Sequence, residues 1–371
     1  MQLLNNNTQA FLVLARAGLW EQDISLSQLG TLEFNEIYRL AEEQSIVGLI
    51  AAGLEHVKDV KVPQDVALTF VGQALQLEQR NVAMNLIVNE LISRIEDSGF
   101  KVYLIKGQGI AQSYERPLWR SSGDVDLLVH PGDYNSVRAL LSSIASDKER
   151  EDRYSLHQAF TINNWPIELH GTMRGGLWKK IDRALDNMQS DLFLNEIKRI
   201  WNNNGYRITL LDVNSDVIFV FCHILQHFYK EGIGLRQICD WCRVLWIYHE
   251  EIDKKLLEDR LKEMGAMSEW RAFASFAVSF LGMLPQNIPF YSDNQRWNHK
   301  AKKICNLIMR NGNFGHNRDM SFYNKYPFIV SKIISFCRHT MENCHHFTIF
   351  PINSIRVWNR MLINGVKALF Y

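Results

Sequence analysis

Between residues 99 and 212 the apolar residues abandon helical spacing and fall into short β-rich runs separated by turns. This break constrains the fold more than any other feature of the chain. Lys101-Val102-Tyr103-Leu104-Ile105 ends in Lys106-Gly107, a strand running into a turn. Helical spacing returns from Gln108 to about Tyr114. The polar turn Arg120-Ser121-Ser122-Gly123 leads into a second strand over 124–129. Pro131 opens a helix with Tyr134, Val137, Leu140, Leu141 and Ile144 as its stripe. Strands are expected over 157–163 and 166–170, joined at Asn164-Trp165, with an edge strand over 207–211.

Helical periodicity holds on both sides of this island. Before it, Phe11, Leu12, Leu14 and Ala15 recur at helical spacing, then Ile37, Leu40, Ala41 and Val47. A long helix follows Pro63, read as a first-turn proline, through Leu75, Leu77, Met84, Ile87, Val88, Leu91 and Ile95 to a stop at Asp97-Ser98-Gly99. After it, helices are expected over 216–229, 235–248, 252–264, 270–281 and 297–309, then an aromatic, amphipathic tail over 323–371 interrupted by Pro327 and Pro351. The expected organisation is a helical region over 1–98, a small mixed-sheet core over 99–212 and a helical domain over 213–371. That is an α+β chain, and 371 residues suit such a division.

Bulk properties remove several classes. Hydrophobic residues are 47% and charged residues 22% of the chain, which supports a packed core and excludes general disorder. A net charge of +1 gives no global footprint for nucleic acid, so nucleic acid is not an expected acceptor. Six cysteines in 371 residues make no disulfide framework. The opening Met1-Gln2-Leu3-Leu4-Asn5-Asn6-Asn7 lacks a signal peptide's basic start and apolar run. No apolar stretch reaches the roughly 20 residues of a membrane span. A reducing cytoplasm is the expected location.

Chemistry concentrates between Lys106 and His170. On an extended strand Asp124 and Asp126 point the same way, while Val125 and Leu127 point into a core. Neighbouring carboxylates repel unless a cation lies between them, and hard cations such as Mg²⁺ take carboxylate oxygens together with substrate phosphates. Ile167-Glu168-Leu169-His170 carries one acid on the face opposite its aliphatic neighbours, so Glu168 is the candidate third metal ligand. Three such acids suit a two-metal phosphoryl transfer, with Mg²⁺ or Mn²⁺ ions about 3.5–4 Å apart. Lys106-Gly107-Gln108-Gly109 offers a glycine turn and a helix start to an anion, and Arg120 adds a planar fork. Lys106, Gly107, Gln108 and Arg120 are therefore the candidate triphosphate-binding residues.

These segments together resemble the uncharacterised bacterial nucleotidyltransferase family of the DNA polymerase beta-like superfamily. The likeness rests on Ile105-Lys106-Gly107, on Gly123-Asp124-Val125-Asp126-Leu127-Leu128-Val129 and on Ile167-Glu168-Leu169-His170. It continues into His223, His227, Arg236 and Asp240 and covers most of the chain. The resemblance implies an α+β fold with a nucleotidyltransferase core, Asp124, Asp126 and Glu168 as catalytic acids, and Gly107 as the nucleotide-loop glycine. It implies transfer of a nucleoside monophosphate from a triphosphate, ATP among the candidates, to an acceptor that the sequence does not name; a small molecule or protein is favoured. The rival is a non-catalytic nucleotide-binding or regulatory module on the same scaffold. The chain departs from the superfamily in having Gly107-Gln108 where Gly-Ser or Gly-Gly is usual, and in a longer run to Asp124.

Other motifs carry weaker signals. His223 and His227 share a helix face and are expected either as packed structural histidines or lining a cleft between core and C-terminal helices. Arg236 and Asp240, also four apart, are expected to pair. Cys239-x-x-Cys242 lies on a helical pattern without a second pair, and Cys337, His339, Cys344, His345 and His346 match no zinc module. The tail, with Ile352, Ile355, Trp358 and Leu362 interspersed with Arg356 and Arg360, is expected to dock on the core, with peripheral membrane contact the less favoured alternative.

Overall fold

The computed structural model describes residues 4–315 and 328–370. The expectations about residues 1–3 and about Tyr323 and Pro327 in the tail lie outside the described residues. Helices α1 (Asn6–Trp20), α2 (Phe34–Glu43), α3 (Val47–Glu55) and α4 (Gln64–Asp97) come first. The central region runs β1 (Val102–Ile105), α5 (Gly107–Ala111), β2 (Val125–Val129), α6 (Tyr134–Ser142), β3 (Asp147–Lys148), β4 (His157–Ile162), β5 (Trp165–His170), α7 (Lys179–Asn195), β6 (Arg199–Asn203) and β7 (Tyr206–Leu210). Helices α8 (Val213–Lys230), α9 (Leu235–Tyr248), α10 (Lys254–Met264), α11 (Met267–Leu281), α12 (Gln295–Asn311), α13 (Phe328–Phe347) and α14 (Pro351–Phe370) complete it. No described helix is long and apolar enough to cross a membrane.

The strands form one mixed seven-stranded sheet in the order β3-β4-β5-β2-β1-β7-β6. β2 is antiparallel to β1 and parallel to β5, while β7 lies parallel to β1. Alternation along the strands sends Val102, Leu104, Val125, Leu127 and Val129 to a core shared with α6 and the second half of α4. Tyr103, Ile105 and Leu128 face a larger core, which takes in α1–α3, the first half of α4 and the C-terminal helices. Asp126 shares this second face, so the strand turns its acid toward the helical C-terminal half. The N-terminal helices are bound to that half directly. Trp20 Nε1 donates to the Leu281 carbonyl at 2.6 Å, and Arg16 Nε to that of Phe280 at 2.8 Å.

Several expectations shift in detail. Pro63 stands just before α4 rather than in its first turn, and Leu75, expected in the buried stripe, is 52% exposed. The strand at 206–210 is internal, because the unforeseen β6 pairs outside it. Its turn is Asn204-Gly205, both at positive φ, a hairpin signal present in the sequence but masked by the polar, half-exposed character of β6. The β4–β5 turn is likewise Asn163-Asn164, at φ 50° and 64°, and Trp165 belongs to the strand. α7 was not anticipated, although Ile181, Ala184, Leu185, Met188 and Leu192 recur at helical spacing along its buried face.

Candidate functional site

The site begins where β1 stops. Lys106 adopts φ 56° and ψ −147°, a conformation seldom held by a side-chain-bearing residue, and Gly107 follows at φ 38°. This reversal lets the chain drop from the sheet into α5. Gly109 packs closely on the sheet: a Cβ there would lie 2.9 Å from Leu210 Cδ2, so that side chain would have to shift to admit one. The helix after this reversal spans only Gly107–Ala111, too short to add a substantial dipole to an anion site.

Register then brings the acids together. Asp126 faces Ile105 on one side and Glu168 on the other, across the parallel β2–β5 pair. Asp124 precedes the strand by one residue. Carboxylate oxygens of Asp124, Asp126 and Glu168 all lie within 4.8 Å of one another, a spacing at which one cation can touch all three. Three oxygen donors with no sulfur suit a hard divalent ion. Lys106 Nζ lies 2.6 Å from Asp126 Oδ1, in a position expected instead to grip phosphate.

Two histidines join them. His170 Nε2 lies 2.9 Å from Asp126 Oδ1 and 3.4 Å from Glu168 Oε2, and His157 Nε2 lies 3.2 Å from the same Glu168 oxygen. The second spacing follows from strand alternation, since residues 168 and 170 share a face. His157 arrives by pairing: it stands opposite His170 across the antiparallel β4–β5 ladder.

Electrostatics follow from this crowding. Burial works against the Lys106 ammonium, but Asp126, Glu168 and Asp124 outweigh it and push its pKa up. Burial and the neighbouring Asp126 and Glu168 raise Asp124 to about 6. Burial would also raise Glu168, yet hydrogen bonds from His157 and His170, aided by Lys106, hold it well below the usual carboxylate range. A carboxylate kept so firmly ionised is suited to ligate a cation rather than to take a proton.

The remaining expected residues divide. Arg120 does not point a free fork at a phosphate. Its Nε and Nη2 each donate to Asp240 at 2.7 Å, in a pair whose side chains are 6% exposed. Burial opposes the guanidinium charge, and Asp240 more than restores it. Asp240 Oδ1 also accepts from the Tyr114 hydroxyl at 2.8 Å, so the expected Arg236–Asp240 pairing gives way to a partner 120 residues distant. Arg236 instead donates to the Ser121 carbonyl at 3.1 Å. Gln108 turns away from the turn: its buried amide donates to Asn81 Oδ1 of α4 at 2.9 Å. Asn81 in turn donates to the carbonyls of Leu118 and Arg120, so Gln108 braces the segment ahead of Asp124 rather than facing a ligand.

The three acids, Lys106, Gly107, His157, His170, Arg120 and Asp240 line one cavity of about 1140 Å³ between the sheet and the C-terminal helices. His223 and His227 lie on its wall, 3.1 Å apart through their Nε2 atoms. Burial, with Lys106 and His227 nearby, pushes the His223 pKa well below its ordinary value. Tyr154, Arg174 and Lys230, not singled out by sequence, also line it, together with Arg356 and Arg360 of the tail. The guanidiniums of Arg174 and Arg360 lie over the Tyr154 ring at 5.3 and 4.8 Å from its centroid, and Arg360 reaches Asp182 at 2.8 Å. Thus α14, the expected docked tail, closes one side of the cavity. The side chains of residues 364–370 lie outside the described ones. Cys239 and Cys242 are buried in the core, and Cys337 and Cys344 are exposed.

A family model described as an uncharacterised nucleotidyltransferase matches residues 31–282. No curated protein matches the chain. Among solved structures, an antigenic nucleotidyltransferase-like protein from Paracoccidioides brasiliensis is 15% identical, covering 50% of this chain and 90% of that one, at a TM-score of 0.30. At that score the likeness carries no structural argument.

Proposed function

This chain belongs to the uncharacterised nucleotidyltransferase family, and on that premise we propose that it transfers a nucleoside monophosphate from a nucleoside triphosphate to a small-molecule or protein acceptor. The observation that supports the reading best is the convergence of Asp124, Asp126 and Glu168 within 4.8 Å, beside the Lys106-Gly107 turn and inside the large cavity. Residues 99–212 are the catalytic core of the proposal, with the helical regions as its walls.

The three acids would hold Mg²⁺ or Mn²⁺, in a two-ion arrangement. Such ions lower the pKa of an acceptor hydroxyl and neutralise charge gathering on the pyrophosphate. The chain's own groups position the reactants. Glu168, whose ionised form His157 and His170 favour, is suited to serve as a ligand. Lys106 is bonded to Asp126 and lies next to the Gly107 turn, so a triphosphate tail entering the turn meets a cation that has little distance to move. The acceptor oxygen bonds to the α-phosphorus as the bond to the pyrophosphate oxygen breaks, and the acceptor proton leaves to solvent in the cavity. Arg120 acts through Asp240, fixing the segment that leads into Asp124.

One observation favours the rival, a binding module without turnover. Lys106 and Arg120, both expected on phosphate, are engaged by Asp126 and Asp240. The experiment that separates the two readings incubates the protein with each α-³²P-labelled triphosphate, Mg²⁺ or Mn²⁺ and a cell lysate, beside the Asp124→Ala/Asp126→Ala variant. Label passing to a lysate component only with the intact acids supports transfer and identifies the acceptor. Triphosphate binding by calorimetry without any label transfer would replace this reading with the rival.

A further inference from the structure

The acids expected to bind a hard cation account for the oxygen side of the site but not for its nitrogens. His157 and His170 face each other across the β4–β5 ladder with ring centroids 4.7 Å apart, and Nε2 of each lies near one oxygen, Glu168 Oε2, with His170 Nε2 closer still to Asp126 Oδ1 at 2.9 Å. Ligand atoms of His157, Glu168 and His170 all lie within 4.8 Å of one another. A tetrahedral centre with metal–ligand bonds of about 2.0–2.1 Å sets its ligands about 3.4 Å apart. The two nitrogen–oxygen separations are 3.2 and 3.4 Å.

We propose that His157 Nε2, His170 Nε2 and Glu168 Oε2 form a second metal site, for a borderline divalent transition ion such as Zn²⁺ or Co²⁺. Imidazole donors select such ions, whereas the all-oxygen Asp124–Asp126–Glu168 set selects Mg²⁺ or Mn²⁺. The backbone fixes the three donors before any ion arrives. Residues 168 and 170 share a face of β5, and the hairpin turn at Asn163-Asn164 sets His157 opposite His170. The fourth position opens on the cavity, since the side chains of His157 and Glu168 are each 29% exposed and both line it. Water or a substrate atom would fill that position, leaving the open site typical of functional rather than structural zinc. The charge balance permits an added cation: Asp124, Asp126 and Glu168 outnumber Lys106, the single ammonium bonded among them.

Glu168 belongs to both sets, which couples them. The proposal shares that carboxylate with the transferase reading but needs no turnover, so the two can fail separately. Its test is titration of the full chain with Co²⁺, followed by visible absorption, which is intense for tetrahedral and weak for octahedral cobalt. Wild type should develop the tetrahedral bands. His157→Ala should weaken Co²⁺ binding by at least about tenfold, since even outer-shell changes cost that much. Asp124→Ala, which lies outside the triad, should leave the bands in place. Bands that persist in His157→Ala, or that vanish in Asp124→Ala, would overturn the site. If His157→Ala fails to fold, X-ray absorption of the wild-type chain with Zn²⁺ decides it, because two imidazole ligands support the assignment and none refutes it. Transfer activity with Mg²⁺ alone is measured apart and reports only on the transferase reading.

Discussion

Replacing Asp240 by alanine tests whether Arg120 is a strut of the cavity or a free phosphate fork. Both Asp240 oxygens are taken by Arg120, at 2.7 Å each, and Oδ1 also accepts from Tyr114 at 2.8 Å. With both side chains 6% exposed, Asp240→Ala leaves a buried guanidinium whose nearest remaining acceptors are Ser122 Oγ at 2.8 Å and the Ser121 carbonyl at 3.4 Å. Removing one partner of a buried pair costs about 3–5 kcal/mol. Stranding the Tyr114 hydroxyl adds about 1 kcal/mol. The expected loss is therefore about 4 kcal/mol or more, a large share of a folding free energy of about 5–15 kcal/mol. Urea unfolding followed by far-UV circular dichroism reads it as a lower midpoint at unchanged slope. Arg120→Met/Asp240→Leu removes both charges together, so its cost should undershoot the sum of the single replacements by about 2 kcal/mol. An Asp240→Ala loss under about 1 kcal/mol, or strictly additive costs, would refute the strut and return Arg120 to the phosphate.

Three further outcomes are expected. A Cβ on Gly53 would lie 2.1 Å from the Leu14 carbonyl oxygen, and one on Gly18 would lie 2.0 Å from that of Leu49, so α1 and α3 touch backbone to backbone. Gly53→Ala should destabilise by about 1–3 kcal/mol in urea unfolding, and a neutral result would contradict that approach. Asp124→Ala should lower label transfer by roughly 100-fold, about 3 kcal/mol of barrier, without moving the urea midpoint much; unchanged transfer would remove Asp124 from the site. His56 is held above its ordinary pKa by hydrogen bonding to Glu21 and then Asp23, against partial burial. That stabilisation is complete below the unfolded histidine value and fades as pH rises through the folded one. The midpoint gap between wild type and His56→Gln should thus be wider at about pH 5.5 than at about pH 9, and a gap independent of pH would exclude the ionic contribution.

Much of the architecture was legible because it depends on local chain geometry. A period of two put Asp126 opposite Val125 and Leu127 in side-chain direction, and the structure keeps Val125 and Leu127 in one core while Asp126 faces the cavity. The same alternation tied His170 to Glu168, a pairing available from the sequence but not drawn from it. His157 was beyond reach, since its place depends on which residue of β4 stands opposite which residue of β5, and the turn assigned to Asn164-Trp165 was displaced by one residue. A one-residue slip reverses every side chain on a strand, so register errors are total rather than partial.

Charge partners were the least legible feature. Helical spacing favoured Arg236 with Asp240, yet a pair exposed on a helix surface is worth only tenths of a kcal/mol. A desolvated two-point pair with Arg120 is far stronger, and it forms only once α9 has packed against the segment that precedes β2. Sequence alone thus determined the periodicities, the strand carrying the acids and the glycine reversal after Lys106, because each follows from neighbours along the chain. Tertiary structure alone decided that Arg120 meets Asp240, that Lys106 rests on Asp126, that His157 meets Glu168 and that α14 closes the cavity. Those contacts join residues far apart in the chain, and their strength comes from the loss of water that only packing brings.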